Sequence, residues 1–242
     1  MNRSLSKILA IFSLPLIVCS CQVKKPEASQ EREKWLLSLN DSIAFYKAEI
    51  DSASSALDKL NSEIGNMMPD FVHVSNPREV EGYYIYQGWK EKYPLTSTEL
   101  AARISENEGL ELIAALTGGV FDRISVEADG EKAFSATVPH DQALNYRAGN
   151  INTVCFTGAE ADSVASFISS HEDSRVILSY IGGAKPVSIT LSPGTKKMIS
   201  ATWQLYSAQK ESHQLEKMMP LLSRKIDLCR RMLNEADSVK TK

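Results

Sequence analysis

Two segments near the ends of the chain carry the same repeating pattern of apolar residues, and this pattern limits the fold more than any other feature. In the first segment, apolar positions follow one another at alternating steps of three and four residues, which is the seam of a coiled coil. Its ten positions are Leu36, Leu39, Ile43, Tyr46, Ile50, Ala53, Leu57, Leu60, Ile64 and Met67. The second segment keeps the same steps at Leu205, Ala208, Ser212, Leu215, Met219, Leu222, Ile226, Cys229, Leu233 and Ala236. The sequence therefore predicts two helices of matching length.

These two helices are predicted to pack as the arms of one antiparallel hairpin, because their seams match in length and a head-sized insert separates them. The first arm covers 34–68, ended by Gly65 and Pro69, and the second covers 206–239. In this register Leu36 faces Ala236. Pro220 removes a backbone hydrogen bond inside the second arm, so we expect a kink or a break there. The predicted fold class is α+β, with an antiparallel coiled-coil stalk below a head formed by 70–205.

The first twenty residues have the pattern of a secretory signal peptide. Arg3 and Lys7 precede an apolar run at 8–18 that is too short to span a bilayer. The run leads into Val18-Cys19-Ser20-Cys21, which resembles the lipobox of bacterial lipoproteins. In that family a small residue precedes a cysteine that is acylated and becomes the mature N-terminus. The resemblance implies lipidation of Cys21, whereas Cys19 fits poorly because Val18 would precede it.

The resemblance also implies a location in the cell envelope. The residues after Cys21 carry neither the Asp that retains some lipoproteins at the inner membrane nor the acidic run that sends others to the cell surface. It therefore implies a lipid anchor on the periplasmic side of the outer membrane, and 21–33 is predicted to be a tether. An ordinary secretory signal, cut near Ser20, is the alternative.

The charge balance excludes one class of partner. Without residues 1–20 the chain keeps 25 basic and 30 acidic residues, a net charge of −5. Nucleic acid is therefore not expected as a partner, because phosphate binding needs a basic stripe. The two remaining cysteines, Cys155 and Cys229, lack metal or redox spacing, and they are predicted not to be bonded to each other.

The head contains a stretch of internal similarity. Residues 104–119 align without gaps on 168–183 with six identities in sixteen positions, and 124–137 aligns on 189–202, where both segments close with Ser-Ala-Thr. We therefore predict a duplication, with repeat units at about 83–138 and 151–205. Each unit is predicted to have the element order β-α-β-β-β.

The predicted elements follow from periodicity and turn residues. The first unit has a strand at 83–87, a helix at 97–106 capped by Thr96 or Ser97, and strands at 110–116, 121–127 and 132–138. The second unit has a strand at 151–156, a helix at 159–170, and strands at 175–181, 187–191 and 197–205. Glycine pairs at 118–119 and 182–183 predict hairpin turns, and Asp129-Gly130 and Pro193-Gly194 predict the next turn of each unit.

The candidate chemistry is sparse. His73, His140, His171 and His213 show no zinc-ligand spacing, and no nucleophile motif or phosphate loop occurs, so we expect no metal and no cofactor. His140-Asp141 and His171-Glu172-Asp173 place a base beside carboxylates, a pattern equally typical of solvated loops. Five aromatic residues crowd into eleven positions, either as core or as a surface for a partner. They are Tyr83, Tyr84, Tyr86, Trp89 and Tyr93.

The sequence thus favours a lipid-anchored periplasmic protein that acts by binding, as an envelope scaffold or adaptor for a protein or glycan. The five aromatic residues are the predicted contact region. The alternative is an envelope enzyme that acts on glycan or peptide, with its site between the two repeat units. Self-association through the stalk is left open.

Overall fold

The computed structural model describes residues 27–75, 82–106, 109–141 and 143–238. The predicted signal peptide, Cys21 and the first part of the predicted tether lie outside these residues. The described chain is an α+β protein that combines long helices with antiparallel sheets, which confirms the predicted fold class at this level. It divides into two compact units, one made of 27–47 with 224–238 and the other of 48–223.

The chain contains three described helices and ten described strands. The helices are α1 (Glu27–Met67), α2 (Gly158–Ser170) and α3 (Pro193–Ser238). The strands are β1 (Phe71–Val74), β2 (Tyr83–Tyr86), β3 (Glu99–Ser105), β4 (Gly109–Thr117), β5 (Arg123–Ala128), β6 (Glu131–Phe134), β7 (Asn145–Ala148), β8 (Ile151–Phe156), β9 (Ile177–Ile181) and β10 (Val187–Thr190). Short 3-10 turns at Met68–Asp70 and Gln87–Lys92 follow α1 and β2.

The strands of residues 48–223 form two antiparallel sheets. The first sheet has the order β1-β2-β3-β4-β8-β7, and the second has the order β10-β9-β5-β6. In β4 every residue from Leu110 to Leu116 is buried, so both faces of this central strand are covered. The core includes residues of both sheets, of α2 and of the first turns of α3, among them Leu112, Ile124 and Ile168.

Both long helices appear where heptad seams were predicted, but their bounds differ. Helix α1 already includes 27–33, so that part of the predicted tether is helical, and it ends at Met67 as Gly65 and Pro69 indicated. Helix α3 passes through Pro220 without a break. A helix can continue there because the loss of one backbone hydrogen bond is local and packing of neighbouring turns offsets it.

The start of α3 corrects the predicted strand at 197–205 and the predicted turn at Pro193-Gly194. Proline suits the first turn of a helix, and the Ser192 hydroxyl accepts the Thr195 N–H at 3.0 Å as a cap. The alternation over 199–205 was misleading. The fully buried residues are Met198, Ile199, Thr202 and Leu205, which is helical spacing.

The predicted helix at 97–106 is also wrong, together with its cap at Thr96 or Ser97, because this segment is β3. Leu100, Ala101, Ala102 and Ile104 are buried, and β3 pairs with β2 on one side and β4 on the other. Alanine favours helices in isolation, but here pairing with two neighbouring strands outweighs that preference. The Ala102 N–H lies 3.4 Å from the Met198 Sδ.

Two of the four predicted turns are confirmed. Asp129-Gly130 joins β5 to β6 with φ of 52° and 84°, and Gly182, with φ of 110°, follows β9 in the β9–β10 hairpin. Gly118-Gly119 does not form a hairpin, because β4 and β5 belong to different sheets. This link crosses between the sheets, and its Gly118 N–H donates to the Asn150 carbonyl at 2.8 Å.

The remaining predicted strands, and the helix at 159–170, match described elements to within a few residues. The two aligned stretches nevertheless fold differently. Residue 104 lies in β3 where its aligned residue, 168, lies in α2, and β6 aligns on the start of α3. The described residues therefore show no repeated β-α-β-β-β unit.

Candidate functional site

Strand β2 divides the predicted aromatic contact region between two faces. Tyr83 lies on one face with Ile85, and Tyr84 and Tyr86 lie on the other, as strand alternation predicted. The exposed fraction is 8% for Tyr83 and 4% for Trp89, so these two rings are in the core. Tyr84, Tyr86 and Tyr93 are half-buried. The structure therefore does not bring the five rings together on one exposed surface.

A cationic group fills the space beside Tyr83 and Tyr93. The Arg103 guanidinium lies 4.3 Å from the centre of the Tyr83 ring and 5.3 Å from that of Tyr93, and it forms a salt bridge with Glu111. Burial raises the pKa of the Tyr93 hydroxyl, against the opposing effect of the Arg103 charge. Burial disfavours the charged form of Arg103, but the charges of Tyr93 and Glu111 outweigh it and raise the pKa of Arg103. Arg103 thus has a carboxylate and two aromatic rings as partners, and these residues pack together as part of the fold.

Tyr84 and Tyr86 pack toward the ends of the long helices. Tyr86 makes an edge contact with Phe71 at 5.7 Å between ring centres, and Tyr84 lies 4.9 Å from the His73 ring. Both rings border a small core cluster of Phe71, Ile104 and Leu205, to which Ile64 and Met67 of α1 also contribute. These two tyrosines therefore help to fix β2 against the helices.

An open cleft of about 420 Å³, with polar and apolar lining residues, lies where several loops of residues 48–223 meet. We call it the head cleft, and its lining residues are Val120, Phe121, Asp122, His140, Asn145, Arg147, Asn152 and Gly182. They come from the β4–β5 link, the β6–β7 link, β7, β8 and the β9–β10 hairpin. The cleft thus brings together a carboxylate, an imidazole and a guanidinium that are distant in sequence.

Two buried asparagines form the floor of the head cleft. The Asn152 Oδ1 accepts the Phe121 N–H at 2.9 Å, and its amide donates to the Asn145 Oδ1 and to the Tyr146 carbonyl. The Asn145 amide donates to the carbonyls of Phe121 and Val138. Both N–H donors of each side-chain amide are therefore used in hydrogen bonds within the protein, and the two asparagines shape the cleft. Asp122, His140 and Arg147 are the lining side chains that can contact a ligand.

The rim of the head cleft is held by local backbone geometry. A Cβ added at Gly182 would lie 2.3 Å from the Asp122 Oδ1, and the positive φ of this residue also favours glycine. The Asp141 Oδ1 accepts the N–H groups of Ala143, Leu144 and Asn145. Backbone hydrogen bonds from Asn145 and Leu144 lower the pKa of Asp141, so this loop is held by an ionised carboxylate.

The chemistry of the head cleft suits the binding of a polar group more than covalent catalysis. The Arg147 Nε donates to the Gly149 carbonyl at 3.1 Å, which holds the side chain while its terminal nitrogens can donate to a carboxylate. The lining residues within the described part of the chain include no Ser, Thr, Cys or Lys to serve as a nucleophile. His140 and Asp122 bring an imidazole and a carboxyl group to the same cleft.

The histidines singled out in the sequence lie on different elements. His73 is in β1, where its Nε2 is 2.8 Å from the Glu106 Oε1. His171 ends α2 and stacks on Phe167 at 4.2 Å, and His213 is in α3 near Glu216. No cluster of three His, Cys, Asp or Glu side chains that could hold a metal occurs within the ranges the structure describes.

Sequence reasoning noted His140 but missed Asp122, Arg147, Asn145 and Asn152 as members of one site. No local motif unites them, because they come from two loops and two strands, and only Asn145 and Arg147 share a strand. Comparison with known proteins adds no assignment, since no family model, curated protein or solved structure matches this chain. No helix among the described residues is long and apolar enough to cross a bilayer.

Proposed function

We propose that this protein is a lipid-anchored component of a bacterial envelope that acts by binding, as a scaffold or adaptor. The anchor is Cys21, and the location is the periplasmic side of the outer membrane. Helices α1 and α3 pair as an antiparallel coiled coil that links the anchor to the α+β head. The observation that carries this proposal is the agreement between the predicted seams and the burial of both helices.

Burial along the two helices supports the coiled coil. All ten seam positions of α1 are buried or half-buried, and Leu39 and Ala53 are the most deeply buried. All ten seam positions of α3 are likewise buried or half-buried, including Leu222, Ile226 and Cys229. Most of the intervening positions are exposed. A seam of this length is typical of a coiled coil and unusual for a helix that lies on a single surface.

Contacts within each unit support the antiparallel register. In residues 48–223 the Ser212 hydroxyl lies 3.3 Å from the Asn61 Oδ1. In the other unit the Lys225 amine lies 5.2 Å from the centre of the Tyr46 ring, and the Arg32 guanidinium donates to the Ala236 carbonyl. The register with Leu36 opposite Ala236 would place Asn61 and Tyr46 within one residue of these partners. Arg32 lies one helical turn away, which a long side chain can cover.

The partner surface that we propose on the aromatic region is reduced to its half-buried members, Tyr84, Tyr86 and Tyr93. Because Tyr83 and Trp89 are in the core, their substitution would mainly measure stability. We expect Tyr93→Phe, which keeps the ring packed beside Arg103 and Tyr83 and removes only the hydroxyl, to reduce recovery of partners from crosslinked envelopes while the melting temperature changes little. Trp89→Ala is the core control and should lower the melting temperature strongly. Undiminished recovery with Tyr93→Phe would reject this surface.

The anchor is tested by single cysteine substitutions. Cys21→Ala should release the protein from the membrane fraction, because the acyl chains that hold it there are lost. Cys19→Ala, two residues away, is the matched control and should remain with the membrane. Membrane pelleting of Cys21→Ala together with release of Cys19→Ala would show that the wrong cysteine was chosen.

The head cleft favours a second candidate function, an envelope enzyme that acts on glycan or peptide. The specific observation is that Asp122, His140 and Arg147 converge on one cleft. An imidazole can act as a general base, and a guanidinium can bind the carboxylate of a substrate.

A further inference from the structure

One face of the helix pair formed by 27–47 and 224–238 carries four large apolar side chains among polar ones. On α1 the positions beside the seam on this face are Trp35, Ser38, Ser42 and Phe45, which again follow at steps of three and four. On α3 the corresponding positions are Lys225, Leu228, Met232 and Glu235. We call the set of Trp35, Phe45, Leu228 and Met232 the apolar face. The exposed fractions of Trp35, Phe45 and Leu228 are 40%, 58% and 51%.

The two helices contribute to this face together. A mostly apolar cleft of about 440 Å³ is lined by Trp35 and Arg32 of α1 and by Met232, Glu235 and Ala236 of α3. Because residues of both helices line one cleft, the stripes beside the two seams adjoin each other. Trp35 and Met232, from different helices, therefore border one apolar cleft, and Phe45 and Leu228 lie further along the same side of the helix pair.

The opposite face of the same helix pair is polar. Its α1 positions are Glu33, Leu37, Asn40, Ala44 and Lys47, and its α3 positions include Asp227, Arg230 and Asn234. Arg230 pairs with Asp227 at 3.4 Å. Leu37 is the large apolar residue on this side, with an exposed fraction of 59%. The concentration of apolar residues on the other face is thus specific to that face.

We propose that the apolar face lies against a lipid bilayer that contains anionic phospholipid. This inference rests on the proposed anchor, because it uses the distance of the face from Cys21. Five residues, 22–26, separate Cys21 from Glu27, and the six peptide units between them span at most about 21 Å. Trp35 lies eight residues further along α1, or about 12 Å. An acylated Cys21 would therefore keep the apolar face near the membrane surface.

The residue types fit the interface between water and lipid. Tryptophan is enriched at that depth, and leucine, methionine and phenylalanine enter the acyl boundary. Arg224 and Arg231, both exposed, lie four residues before and three after Leu228, which makes them its neighbours on the helix. Lys34 is exposed on α1 beside Trp35. Cations next to an apolar surface favour anionic headgroups.

A second copy of the chain fits this face less well. The part of the face shared by both helices is roughly 22 Å long, because α3 contributes fifteen residues at a rise of about 1.5 Å each. It is about 20 Å wide, the width of two helices side by side. Its area is roughly 450 Å², below the about 800 Å² that each partner buries in a typical stable interface. Contact with a bilayer does not need so large an area, because a covalent lipid already holds the protein at the membrane.

The experiment uses the acylated mature protein, reconstituted into phosphatidylethanolamine and phosphatidylglycerol vesicles with brominated acyl chains. Bromine quenches tryptophan at the depth of the chains, so Trp35 emission should be quenched, and Trp35→Phe should remove that component. Phe45→Ser with Leu228→Ser should reduce the quenching about twofold or more, because two membrane contacts are lost. Leu37→Ser is the matched control, since it removes an equally exposed residue from the opposite face, and it should leave the quenching unchanged. Circular dichroism checks that the variants keep their helices.

Unquenched Trp35 in protein that carries lipid on Cys21 would overturn this inference and leave the anchor intact. Equal effects of Leu37→Ser and Phe45→Ser with Leu228→Ser would also overturn it. Absence of lipid on Cys21 by mass spectrometry would overturn the anchor, and this inference with it. If Trp35 is unquenched and Phe45→Cys gives crosslinked dimers, the face belongs to a second copy.

Discussion

Arg147 brings a guanidinium to the head cleft, and its replacement tests whether the cleft binds an anionic group. Arg147→Gln should weaken binding of a carboxylate-bearing envelope sugar about tenfold or more, because a charge-assisted hydrogen bond is lost. The probe is the disaccharide of N-acetylglucosamine and N-acetylmuramic acid, which has both a carboxylate and a glycosidic bond that an enzyme could hydrolyse. Binding is measured by calorimetry, and products are analysed by mass spectrometry. A product would favour the enzyme, and binding without a product would favour the scaffold.

Arg175→Gln is the control for this prediction. Arg175 is also exposed, but it lies against Thr190 at 3.5 Å and does not line the head cleft. Loss of its charge should leave binding unchanged. If the unaltered protein does not bind the sugar, or if both arginine variants weaken it equally, the head cleft is not the site of an acidic ligand.

Among the helices, strands and turns, the sequence predicted those that depend on the conformational preferences of a few neighbouring residues. The Asp129-Gly130 turn was predictable because both of its residues need positive φ, which aspartate and glycine tolerate. Pro193-Gly194 was not, because proline starts turns and helices equally well, and only the cap from Ser192 distinguishes them. In β3 the alanines pointed to a helix, and pairing with two neighbouring strands overrode that preference.

The seams were predictable for a different reason. A period of three and four residues, repeated over ten positions, averages out the ambiguity of any single residue. Burial follows that period closely along α1 and α3. A short apolar run such as 199–205 lacks this redundancy, and its alternation matched a strand by coincidence.

For the whole molecule, the sequence did not predict the two sheets or the head cleft. From the similarity of the two aligned stretches and the glycine pair at 118–119, we predicted that the strands at β4 and β5 form one hairpin. The two strands instead belong to different sheets. The cleft depends on that crossing, because the β4–β5 link supplies Val120, Phe121 and Asp122. Pairing between distant strands is decided by packing of the complete head and leaves no local signal in the sequence.

The central claim, that α1 and α3 pair within one chain as an antiparallel coiled coil, is tested most directly by a disulfide. Leu39→Cys and Leu233→Cys, in a Cys229→Ser background, place cysteines on the two seams at one level of the predicted register. A disulfide tolerates only about 4.4–6.8 Å between Cα atoms, so its formation reports the pairing. Leu37→Cys with Leu228→Cys, on opposite faces, is the control and should not bridge.

The measurement is peptide mapping by mass spectrometry after mild oxidation, with monomers and dimers separated first. We expect a bridge between positions 39 and 233 in the monomer fraction and none between 37 and 228. Bridged dimers without any bridged monomer would contradict the account, because they would show that the arms pair between molecules.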